Sequence, residues 1–317
     1  MERAYPLILR VAILCIAALW STPARAADDL ICVLVPHFKD EYWLSVADGI
    51  ETRAHESGVR TRFFEAGGYR ALQTQIRQLQ DCEALRPRAV LIGAVSSDDP
   101  DLLAAVAAAA RRQPVIGLVN ELHSDALVAR IGVDWSDMGE RLGAHLARLH
   151  PSGGTPVKAI LLSGPPEAGW VAPLETGLRR GLAGSAIQIA AVFGADTGTT
   201  EQLRLLEQAL AQSPEPDLII GPAPAIEAAM AVFAGAAKPP GLAATYISHS
   251  VARGLVGGQV QAAPFDDPIR QGALALEAAL NPLPRKGLIG PEITVITAGA
   301  DPATIRLSPA NYFPALD

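Results

Sequence analysis

Short apolar runs alternate with helically spaced segments along almost the whole chain. Leu30-Ile31-Cys32-Val33-Leu34-Val35 is a continuous apolar run and predicts a buried strand. Tyr42 to Glu56 follows with Leu44, Ala47 and Ile50 facing one way and Gly58 as a stop, the pattern of a helix. The same reading gives strands at Arg60 to Glu65, Ala89 to Gly93 and Val115 to Val119, and helices at Ala71 to Ala84 and Pro100 to Arg112. Such alternation implies a parallel sheet with helices on both faces.

A second series opens with a strand at Val128 to Val133 and continues with strands at Val157 to Leu162, Ile187 to Val192 and Leu218 to Gly221. Its helices are Asp137 to Leu149, Val171 to Leu182, Thr200 to Ala211 and Ala225 to Phe233. Strands at Leu242 to Tyr246, Val260 to Ala263 and Glu292 to Ile296, and a helix at Asp267 to Leu280, complete the series. These units are too many for one sheet and suit two. The expected fold is α/β, two doubly wound parallel-sheet lobes joined by three crossovers at Asn120 to Ala126, Gly257 to Pro264 and Pro282 to Gly287. The expected bounds are residues 27–122 plus 264–283 for the N-terminal lobe and 123–263 plus 284–317 for the C-terminal lobe. In such sheets ligands collect outside the carboxyl ends of the strands, so two facing sheets enclose a cleft that a hinge can close.

The first 26 residues have a different character. Arg3 and Arg10, an apolar stretch from Val11 to Trp20 and then Pro23-Ala24-Arg25-Ala26 form the layout of a secretory signal peptide, residues 1–26, cleaved after Ala26. Cys15 sits inside the apolar stretch with a good cleavage site after it, which makes a lipoprotein signal the lesser reading. Removal of this segment lowers Lys+Arg from 26 to 23 and Asp+Glu from 33 to 32, a net charge of −9 with no basic run. Nucleic acid and anionic membrane surfaces are therefore poor partners. In an oxidising compartment the two remaining cysteines, Cys32 and Cys82, suggest a structural disulfide. Cys32 is near the start of the first strand and Cys82 near the end of the second helix, both at the sheet edge away from the strand C-termini.

No catalytic constellation is present in the sequence. None of the six histidines forms H-E-x-x-H or another metal spacing, and neither G-x-S-x-G nor a phosphate-binding G-x-x-x-x-G-K occurs. Gly67-Gly68 reads as a turn rather than a dinucleotide site. The expectation is a binding protein with no catalytic residue, metal or cofactor.

The informative feature is the placement of Trp and Tyr. Tyr42 and Trp43 open the first helix, Tyr69 follows the second strand, and Trp135 and Trp170 each follow a strand of the second series; Tyr246 ends a late strand. Only Tyr312 lies elsewhere among those of the mature chain. Packing explains any one of these rings, but not the group at strand C-terminal ends. Asp40, Glu41, Asp134 and Asp266 accompany them; each has helix capping as its plain explanation. Ring faces with a few carboxylates suit a methylated ammonium-like group.

The stretches Lys39-Asp40-Glu41-Tyr42-Trp43-Leu44-Ser45, Glu65-Ala66-Gly67-Gly68-Tyr69, Gly132-Val133-Asp134-Trp135 with Met138-Gly139, and Tyr246-Ile247-Ser248-His249 resemble the TorT family, within the type I periplasmic binding proteins. The resemblance runs from about Leu30 to Pro309. It implies the hinged, flytrap-like two-lobed fold, a periplasmic location, trimethylamine N-oxide (TMAO) as ligand, and the periplasmic domain of a TorS-like sensor histidine kinase controlling TMAO respiration as partner. Carried over by motif, the cage is Tyr42, Trp43, Tyr69, Trp135 and Tyr246, with Asp40 as its carboxylate and Asp266 and Trp170 as further members. The competing reading is a sugar-binding component of an ABC importer or chemotaxis system, which shares the fold and also stacks its ligand on aromatic rings.

Overall fold

Fully apolar strands buried on both faces build the centre of each half of the molecule. The structure, a computed structural model, describes residues 29–282, 284 and 287–316. The expected signal peptide over residues 1–26 lies outside the described residues, as do Leu283, Arg285, Lys286 and Asp317. In chain order the elements are β1 (Leu30–Val35), α1 (Glu41–Ser57), β2 (Arg60–Glu65), α2 (Leu72–Ala84), β3 (Ala89–Ile92), α3 (Pro100–Ala110), β4 (Val115–Leu118) and β5 (Ala129–Ile131). They continue with α4 (Trp135–Leu149), β6 (Val157–Ser163), α5 (Val171–Gly181), β7 (Ile187–Gly194), α6 (Thr199–Gln212), β8 (Leu218–Gly221) and α7 (Ala223–Val232). The last are β9 (Gly241–Ala244), α8 (His249–Val256), β10 (Ala262–Phe265), α9 (Pro268–Leu280), β11 (Leu288–Ile289) and β12 (Thr294–Thr297).

Two six-stranded sheets result, ordered β11-β5-β4-β3-β1-β2 and β12-β10-β9-β8-β6-β7. Pairing is parallel throughout except for β12 against β10. The inner strands β1, β3, β4 and β8 are buried at every position, as strands covered on both faces must be. The edge strand β7 instead alternates between more and less buried residues. Caps fix the helix starts: Asp40, Asp99 and Asp134 each accept backbone N–H bonds at the first turns of α1, α3 and α4, and Gly58 ends α1 in the left-handed region. Gly67 and Gly68 both take positive φ, consistent with a turn. Cys32 of β1 and Cys82 of α2 are joined by a disulfide.

Sheet membership corrects the expected lobe bounds. The strand at Val128 to Val133 does not open the second half; β5 pairs with β4 and β11 in the first sheet. The chain passes between sheets after β5, after β10 and after β11, at residues 132–134, 266–267 and 290–293. Of the Gly- and Pro-rich stretches taken as crossovers, Gly257-Gly258 is a turn after α8, and the stretch at Pro282 to Gly287, of which Leu283, Arg285 and Lys286 lie outside the described residues, falls between α9, which packs on α1, and β11 of the first sheet. The middle crossing carries backbone strain, with Asp267 at φ 43° capping α9 ahead of Pro268. All three crossings leave from the β5–β11 edge of one sheet or the β10–β12 edge of the other, which gathers the hinge on one side.

Candidate ligand-binding site

The C-terminal ends of strands in both sheets deliver their next residues to a single point. Asp40, Tyr42 and Trp43 follow β1, Tyr69 follows β2, Val119 and Asn120 follow β4, and Trp135 follows β5; Trp170, Thr197 and Tyr246 follow β6, β7 and β9. These ten residues line a small cavity between the two sheets. The six Trp and Tyr residues among them are only 3–4 % exposed. Their rings meet mostly edge to face: Tyr42 on Tyr246 at 5.5 Å, Trp170 on Tyr246 at 6.0 Å and Tyr69 on Trp170 at 6.4 Å between centroids, with Trp135 tilted on Trp170 at 5.4 Å. Two of the walls rest in sockets where there is no side chain. A Cβ at Gly93 would overlap the Trp43 ring, and one at Gly164 would overlap the Trp170 ring.

The polar groups are tied up in a defined way. Asp40 uses Oδ1 to cap α1 through the Tyr42 N–H at 3.0 Å and Oδ2 to accept the Tyr246 hydroxyl from the opposite sheet. Burial raises its carboxyl from 3.8 to about 7, against the lowering pull of those two hydrogen bonds. The Tyr42 hydroxyl donates to Asp266 Oδ2 at 2.7 Å, and Gln271 Nε2 donates to both. Burial raises Asp266 to about 6 against the same bonds, while its Oδ1 is buried without a partner. Burial, and then the adjoining carboxylate, pushes the Tyr42 and Tyr246 hydroxyls up. The Trp135 indole N–H donates to the Val119 carbonyl at 3.1 Å. Val119 sits at φ 62°, a strained position for a β-branched residue, in a three-residue turn closed by Asn120 N–H to Leu118 O at 2.7 Å.

The Tyr69 hydroxyl oxygen accepts from the Asn120 amide at 3.3 Å, which opposes the upward shift that burial imposes. With a donor on its oxygen, its own proton is free to serve an acceptor in the cavity.

Of the expected cage residues, Asp40, Tyr42, Trp43, Tyr69, Trp135, Trp170 and Tyr246 are brought together around the cavity. Asp266 does not line the space but stands behind Tyr42 and accepts from its hydroxyl. Asp134 has only its capping role, and Tyr312 bonds Glu51 away from the site. Val119, Asn120 and Thr197 line the cavity without having been singled out. Position after a strand was available as a signal for all three; residue type was not. Among the described residues no group of three His, Cys, Asp or Glu side chains could hold a metal ion.

Comparison with known proteins agrees with this fold. The periplasmic binding protein domain family matches residues 31–283. The periplasmic protein TorT of Escherichia coli (strain K12) is 36% identical over 301 residues, covering 93% of this chain and 86% of that protein. The structure of a complex between the TorS sensor domain and TorT without ligand superposes with a TM-score of 0.79 at 34% identity, over 92% of this chain and all of the matched one. The same complex in the presence of TMAO gives 0.78 at 34% identity over the same shares of the two chains.

Proposed function

This chain belongs to the TorT-type periplasmic binding proteins, and on that premise we propose that it binds TMAO in the cavity between its two sheets and reports occupancy to the periplasmic domain of a TorS-like sensor histidine kinase. It is a binding protein and not an enzyme. The observation that carries the reading is the wall composition: six aromatic rings from both halves around a small space, with Asp40 as its carboxylate. TMAO presents three methyl groups on a formally positive nitrogen and one strongly accepting oxygen. Ring faces attract the methylated cationic end, and a desolvated contact of this kind is worth about 2 kcal/mol. Tyr69 supplies the hydroxyl proton for the oxygen. Trimethylamine lacks the oxygen and leaves this donor unpaired, a cost of about 1–3 kcal/mol for a buried group.

The cavity argues against the sugar reading. A hexose needs a fan of hydroxyl-binding groups, and the polar side chains here are Asp40, Asn120 and Thr197, each already engaged within the protein. Calorimetry of the mature chain against TMAO, trimethylamine, choline, betaine and common sugars tests the ligand. TMAO binding strongest of the set is the expected result; heat with a sugar and none with TMAO refutes the proposal. Capture of the periplasmic domain of a TorS-like kinase from the same genome tests the partner, and capture of an importer permease instead supports the transport reading.

A further inference from the structure

His37, just after β1, is fully buried and does not line the cavity. Its Nε2 lies 2.8 Å from Thr197 Oγ1, which comes from the end of β7 in the other sheet. His37 Nδ1 is buried with no hydrogen-bond partner, and a bare lone pair is tolerated there better than an orphaned N–H. The ring proton therefore sits on Nε2, which donates to the Thr197 oxygen across the two sheets.

We propose that His37 is a positioning residue, which as the neutral Nε2–H tautomer donates to Thr197 of the opposite half and permits the closed site only while it is uncharged. The contact rests on this structure alone, whereas its use in TMAO capture rests on the function proposed above. The surroundings agree. Asp196 Oδ1 stands 3.8 Å from His37 Nε2 and favours the charged ring, as does Glu201, while Lys39, paired with Glu201 at 3.8 Å, opposes it. Tyr69 packs edge-on against the ring at 5.5 Å. Burial outweighs the acidic neighbours and pushes His37 down from 6.5 to about 4. Where the two halves separate and water reaches the ring, His37 regains an ordinary value near 6.5. The closed form therefore gains from His37 fully above that value and loses the gain as pH falls from about 6.5 toward 4.

Two measurements decide the matter. The imidazole nitrogen spectrum of the ¹⁵N-labelled mature protein without ligand, at pH 7.5, assigns the ring state, with His37→Gln identifying the signal. A neutral Nε2–H ring is expected; an imidazolium or an Nδ1–H ring overturns the proposal whatever the ligand is. Calorimetry with TMAO at pH 7.5 and 5.5 then compares the parent with His37→Gln, whose amide keeps a donor for Thr197 but does not titrate. The parent's Kd divided by that of the variant should rise about tenfold between the two pH values, the carboxylates being common to both. A flat ratio overturns the proposal. Absence of any TMAO heat at pH 7.5 counts against the ligand assignment alone, because the spectrum still decides the tautomer.

Discussion

Removing Trp170 tests the cage most directly, because this ring touches Tyr69, Trp135 and Tyr246 at once. Each such contact contributes about 0.5–1.5 kcal/mol beyond its area, and truncating a buried Trp to Ala costs about 3–5 kcal/mol of stability. The ligand loses one desolvated ring face, about 2 kcal/mol, or about 30-fold in Kd. For five heavy atoms the ceiling near −1.5 kcal/mol per atom allows a Kd of a few micromolar at best. Trp170→Ala should therefore bind TMAO with a Kd of about 100 μM or weaker. The enlarged space should also improve choline relative to TMAO. Trp170→Leu separates filling from ring electrostatics: it restores apolar bulk without a π face and should bind TMAO no better than Ala, while Trp170→Phe recovers part of the loss. Titration calorimetry gives the constants, and ligand-free melting shows that each variant is folded. A folded Trp170→Ala protein binding TMAO within threefold of the parent would refute the cage.

Tyr69→Phe keeps the ring and removes the hydroxyl, so TMAO should weaken by about 1–3 kcal/mol while tetramethylammonium, which has no oxygen, is unaffected; equal losses for both ligands sink the donor role. Burial raises Asp40 from 3.8 to about 7, so the folded form holds that proton more tightly than the unfolded chain. The stability this brings is complete below about pH 4 and lost as pH rises through 7. The melting midpoint should thus fall between pH 6 and 8, and fall less in Asp40→Asn; parallel curves would contradict the assignment. Replacing Cys32 and Cys82 together by Ser releases a cross-link spanning 50 residues. Denaturant titration should show a loss of up to about 4 kcal/mol, and an unchanged midpoint would show that the bond contributes nothing.

The alternation of apolar runs and helical spacing was enough to read two parallel sheets, and position at strand ends was enough to place the six rings around one cavity. Both follow from local rules, because a strand's C-terminal neighbour reaches the cleft whatever the rest of the chain does. What failed was the bookkeeping of which strand joins which sheet. β5 is three residues long and looks like the start of the next unit; only its pairing with β4 and β11 places it. The helix α8 went unread because it is eight residues long and follows a strand closely, although Ser248 caps it. Thr197 and His37 are 160 residues apart in the chain, and nothing local in either announces their contact. Asp40 shows why the capping and site explanations were not alternatives: one carboxylate oxygen serves the helix and the other the opposite sheet.

The two empty sockets at Gly93 and Gly164 give the binding space a control that lies outside its own lining. A single methyl added at either place would push an indole inward and shrink the chamber without altering any group that faces the ligand. A methyl behind Trp43 narrows it from the first sheet, and one behind Trp170 from the second. Ligand size in this lineage can therefore change by substitution in the layer behind the wall while every aromatic ring stays in place, and a comparison of cage residues alone would miss such a shift. Gly93→Ala and Gly164→Ala are accordingly the positions from which to retune the chamber toward smaller guests.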